Sequence, residues 1–143
     1  MAENTVHIDA RPDEVFAFFA DGCTYADWVV GAKEVRRVEG EWPAVGSSFH
    51  HSVGAGPVHL KDRTEVLELD EPKRLLLDAR AYPLGRAKVE LVIEPEGDGT
   101  KVVMRERLAN VPGIVNWAID PLIHLRNIES LRRLRTAIQE RAA

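Results

Sequence analysis

Most of the chain alternates apolar and polar residues with a period of two, and helical periodicity brackets that region near each end. Val6 and Ile8 alternate with Thr5 and His7, which predicts a short first strand. Pro12 suits the first position of a helix, Asp13 and Glu14 fall in its positively polarised first turn, and Val15, Phe16 and Phe19 form its apolar side. Arg11 stands at the expected N-cap, where its side chain cannot accept a backbone hydrogen bond. Residues 24–32, with Tyr25 and Trp28, read as a second short helix or loop. From Lys33 the period is two, with strands expected over 34–39, 47–53, 58–69, 75–82, 86–94 and 100–110. The spacers carry Gly, Pro or Asp and are too short for crossover helices, so neighbouring strands should be antiparallel. Trp42 beside Pro43 reads as a plug in one of these turns. In the last two strands Val89, Leu91 and Ile93 share a face, as do Val102, Met104 and Leu108, while Lys88, Glu90, Glu94, Lys101, Arg105 and Arg107 lie opposite. One side of the sheet is therefore wet and the other buried.

The C-terminal pattern is helical. Asp120 suits an N-cap and Pro121 a first residue, which predicts a helix reaching Arg141 and spanning roughly 30 Å. Trp117, Pro121, His124, Ile128, Leu131, Leu134 and Ile138 form its expected apolar stripe, and Glu129 and Arg133 pair on the solvent side. Residues 114–119 are expected as a separate helical turn, set at an angle by Pro121. Strands followed by a terminal helix make the class α+β.

Composition narrows the picture. A chain of 143 residues, 45% hydrophobic and 29% charged, reads as a single globular domain over 1–143. No apolar run approaches the roughly 20 residues of a bilayer span, and the first ten residues lack the pattern of a secretory signal. One cysteine, Cys23, leaves no internal disulfide, so a cytoplasmic setting is expected. A net charge of −4 argues against a nucleic-acid partner. Zinc spacings, a phosphate-binding loop, a dinucleotide fingerprint and a serine elbow are all missing, so neither a metal nor a cofactor is expected.

Several segments carry a likeness: VHIDARPDEVFAFFAD with Trp28 after it, GSSFHHS, TEVLELDEPKRLLL, EPEGDGTKVVMRERL, and the terminal helix from Asn127 through SLRRLRTAIQ. In this order and spacing, over essentially the whole chain, they resemble the helix-grip fold of the START and birch-pollen-allergen (SRPBCC) superfamily. Within it the chain is most similar to the bacterial polyketide cyclase/dehydrase-like group. The resemblance implies a curved antiparallel sheet of about seven strands wrapped around the long C-terminal helix, with two short helices after the first strand. It also implies a cavity between sheet and helix, and it fixes architecture better than activity.

Such a cavity is mostly apolar with a few orienting polar groups. The alternation Val102, Met104, Glu106, Leu108 turns Glu106 inward, where a carboxylate must be paired, protonated or wet. A bulge that rotates it outward, or a partner such as Arg80, is the plainer reading. His51 shares a face with Ser47, Phe49 and Val53, although a one-residue slip would exchange it with His50. His124 lies on the helix stripe facing the sheet, where a satisfied core histidine is the plainer reading. Asp62 and Asp78 fit surface ion pairs. Trp28, Phe49, Tyr82, Met104, Trp117, Ile128 and Leu131 are candidate ligand-lining residues, and ordinary core packing explains them equally well.

Three functions stay open. The first is binding of a hydrophobic small molecule, aromatic, polyketide- or lipid-like, by a monomer or homodimer without membrane insertion. The second is a cofactor-independent cyclase or dehydratase with Glu106, His51 and His124 as acid–base groups. The third is a protein-interaction module with a vestigial cavity.

Overall fold

The computed structural model describes residues 2–20, 32–40, 42–55, 58–81, 85–109 and 111–142. Its elements in chain order are β1 (Ala2–Ile8), α1 (Pro12–Ala20), β2 (Ala32–Glu39), β3 (Ser48–Ala55), β4 (Val58–Asp70), β5 (Arg74–Ala81), β6 (Gly85–Glu96), β7 (Gly99–Ala109) and α2 (Gly113–Ala142). The second short helix expected over 24–32, with Trp28, falls outside the described residues except at Ala32, which begins β2.

Turn chemistry dictates the topology. Consecutive strands from β2 to β7 pair antiparallel, and β1 closes against β7, which gives the order β1, β7, β6, β5, β4, β3, β2. The β6–β7 reversal places Gly97 at φ 59°, where a side chain would be strained. Gly99 is required for a different reason: a Cβ there would lie 2.5 Å from the Ile8 carbonyl oxygen, so only glycine lets β1 end so close to β7.

The inner face of the sheet carries Ile8, Val66, Leu75, Leu77, Val89, Leu91, Ile93, Val102 and Met104 into one core with Val15, Phe16, Phe18 and Phe19 of α1. Arg11 does precede α1, and the capping deficit is met from the other side. Glu14 reaches back to the Arg11 backbone N–H at 3.4 Å and to its guanidinium at 3.0 Å, half of a capping box. Trp42 is half-buried against the core and its indole N–H donates to the Phe19 carbonyl at 3.0 Å, satisfying one of the carbonyls left free at the end of α1.

The outer face is wet and charged, and its charges are ordered. Glu3, Arg105, Glu90, Arg74 and Glu68 form an alternating row across five strands, with N–O separations of 2.8, 2.8, 2.7 and 3.6 Å. The Arg105 guanidinium, and after it that of Arg74, hold the Glu90 carboxyl below its usual value.

The C-terminal helix departs from expectation. It is one helix from Gly113, with Pro121 inside it rather than at its start. Its beginning is secured by Asn116, whose side-chain oxygen accepts from the Leu108 N–H at 3.0 Å and whose amide donates to the Leu108 carbonyl at 3.2 Å. Those two bonds extend the β7 ladder onto the helix and replace the start signal read at Asp120. Among the described residues no helix is long and apolar enough to cross a membrane.

Candidate functional site

α2 packs chiefly on β1, and more lightly on β7 and α1. The face it buries changes character along its length. Leu131, Leu134 and Ile138 join the apolar core in the C-terminal half. Nearer the N-terminus the buried positions are Ile123, Asn127 and Ser130, two of them polar. The expected stripe is corrected here. Ile123 and Asn127 face inward, whereas Trp117 is 77% exposed, Ile128 is 49% exposed and the His124 residue is exposed. A hydropathy stripe follows apolar side chains, and in this half the inward face is polar, so the stripe was drawn one position too far along.

Below that polar stretch lies Glu106, turned inward by the β7 alternation and only 4% exposed. A carboxylate so buried requires compensation. Arg126 supplies it, its Nη2 donating to both carboxylate oxygens at 2.5 and 2.6 Å, and the Asn127 amide adds a bond to Oε1 at 3.2 Å. Two successive residues of α2 therefore grip one strand carboxylate. The partner described is the helix arginine Arg126; the side chain of Arg80, the partner considered from the sequence, is outside the described set.

Asn4 approaches from β1 and bonds to α2 beside this cluster. It lies two residues from Ala2, which opposes Glu106 in the β1–β7 register, and both face inward. Its amide donates to the His124 carbonyl at 3.2 Å. A carbonyl only accepts, so this bond fixes which way the amide points and leaves Asn4 Oδ1 as a buried acceptor without a partner. Arg126 Nε is likewise buried and unpartnered, although the arginine side chain as a whole is 39% exposed. The site thus combines a neutralised ion pair, one spare donor and one spare acceptor.

The remaining candidates that are described do not bond to this carboxylate. Met104 and Leu131, 3% and 2% exposed, are packed into the core. His124 contributes its backbone carbonyl to the site and not its ring. Asp78 is buried on the sheet face away from Leu77 and is held by Arg86 at 3.2 and 2.7 Å, a structural ion pair. Phe49, His51 and Asp62 lie on described strands, but their side chains, like residues Trp28 and Tyr82, fall outside the described set. Among the described residues no three His, Cys, Asp or Glu side chains assemble as a metal site would need.

Arg126 and Asn4 were not singled out in the sequence, and Asn127 figured only as the start of the terminal-helix motif. No local pattern pointed to Arg126. Glu129 stands three residues after it, at a spacing that can pair on one helix, but Glu129 is engaged by Arg132 and Arg133. Arg126 turns instead to the strand carboxylate.

An antiparallel sheet with a long C-terminal helix laid against it, and a short helix after the first strand, fits a helix-grip domain. Residues 2–139 match the model of the family described as "Polyketide cyclase / dehydrase and lipid transport", and the chain belongs to that family. Solved structures share the fold at low identity. A Chromobacterium violaceum protein is 20% identical, with 97% of this chain and 99% of that one covered and a TM-score of 0.70. The Zhui aromatase/cyclase from Streptomyces sp. R1128 is 17% identical over 99% of this chain and 94% of its own, with a TM-score of 0.74. The di-domain ARO/CYC StfQ from the steffimycin biosynthetic pathway is 11% identical with a TM-score of 0.75, and 98% of this chain spans 50% of that one. A search of curated proteins found no match.

Proposed function

We propose that the protein binds a hydrophobic small molecule, polyketide- or lipid-like, against the sheet face that α2 covers, with the Glu106 cluster meeting its polar end. The observation that carries this reading is the buried carboxylate gripped by Arg126 and Asn127 beside the apolar core that the sheet shares with α2. A few fixed polar groups in apolar surroundings are what orient a ligand of this kind. The family description, which joins polyketide chemistry with lipid transport, supports the same class of molecule.

A second reading, a cyclase or dehydratase, draws on the aromatase/cyclases that share the fold. It needs Glu106 to exchange protons with a second titratable group such as His51 or His124. Binding leads because Glu106 is committed to Arg126 and Asn127, and His124 is exposed.

Native mass spectrometry of freshly purified protein tests the choice. The expected result is a population heavier than the chain by one small apolar molecule, lost on denaturation. Protein that is bare, and stays bare after incubation with an apolar cell extract, overturns the binding reading. Chemical change in a polyketide-like compound that disappears in Glu106→Gln would move the conclusion to the enzyme.

A further inference from the structure

The Glu106 cluster also restricts the charge of whatever meets it. Glu106 is 4% exposed and spends both oxygens on a single nitrogen of Arg126, so the pair as a whole is neutral. The guanidinium is not exhausted, because its Nε has no partner and the side chain is 39% exposed. Asn4, 6% exposed and bonded to the carbonyl of His124, two residues before Arg126, holds an acceptor oxygen that is also without a partner. Buried polar atoms are almost always satisfied in folded proteins, and a ligand group that satisfies them gains affinity by doing so.

We infer that the ligand's polar end is an uncharged oxygen function, a hydroxyl foremost, and not a carboxylate. The inference rests on the small-molecule reading above. A hydroxyl accepts from Arg126 and has a hydrogen to offer an acceptor such as Asn4 Oδ1, and it adds no charge. A carboxylate has no hydrogen for Asn4. It would also bring a second negative charge to a poorly solvated place where the one arginine is already matched.

Three probes of one shape separate the possibilities: naphthalene, 2-naphthol and 2-naphthoate, titrated calorimetrically at neutral pH. Wild-type protein is expected to bind 2-naphthol about tenfold more tightly than naphthalene, and 2-naphthoate more weakly than 2-naphthol. Glu106→Gln keeps the shape and an oxygen for Asn127 but leaves Arg126 unmatched, so it should shift the preference towards 2-naphthoate by about tenfold or more. Tightest wild-type binding by 2-naphthoate overturns the inference, as does equal binding of all three. An unchanged preference in a folded Glu106→Gln protein overturns the role given to the ion pair. If that variant does not fold, the wild-type ranking decides alone. Failure of all three probes to bind, naphthalene included, overturns the small-molecule reading together with the inference, whereas equal binding of the three leaves that reading standing.

Discussion

Glu106 illustrates how one inward charge recruits its surroundings. Removing the arginine alone strands a buried carboxylate, whereas removing both charges leaves little to compensate. Arg126→Met is therefore expected to destabilise the fold by about 2 kcal/mol, discounted from a fully buried pair because the arginine reaches solvent. Adding Glu106→Leu should recover most of that loss. Urea unfolding of the two singles and the double measures the coupling, and additive effects would contradict it. The inward turn of Glu106 was legible in the sequence because strand alternation is strict and local. Its partner was not, because a contact between residues 106 and 126 depends on how the helix is rotated against the sheet, which no local pattern records.

At the scale of elements, α2 is the informative case. Its existence and its C-terminal half followed from periodicity, and Leu131, Leu134 and Ile138 are buried as expected. Its N-terminal half was misread twice, once by treating Pro121 as a beginning and once by assuming that the inward face must be apolar. Both errors have one source. Tertiary partners, namely Leu108 for Asn116 and Glu106 for Asn127, supply what propensity and hydropathy lack. Asn116→Ala removes two hydrogen bonds between α2 and β7 and is expected to cost about 1–2 kcal/mol. Hydrogen exchange should show the loss concentrated in the first turns of α2, and uniform loss across the sheet would argue against this anchoring role.

For the whole molecule, the alternating row from Glu3 to Glu68 ties five strands together on the wet face. Glu90 at its centre has a lowered pKa, so its stabilising contribution is present at neutral pH and lost as pH falls through that lowered value. Arg105→Met should then lower stability slightly at pH 7, and the gap to wild type should close in acid. Chemical denaturation across pH checks this, and a gap that widens in acid would refute it. The order of the strands along the chain and in the sheet made the architecture readable, since six of them are joined by short reversals. The one distant pairing, β1 with β7, has a kinetic meaning. Ala2 meets Glu106 across 104 positions (106 − 2), while β2 to β7 assemble through neighbours, so β1 closes against the largest loop entropy in the fold. Because α2 rests mainly on β1, strand and helix depend on each other, and exchange experiments should find their amides opening as one unit before the meander does. The polar cluster lies on that late-closing seam, so a molecule bound there would act as a clasp, slowing the step by which the domain comes apart.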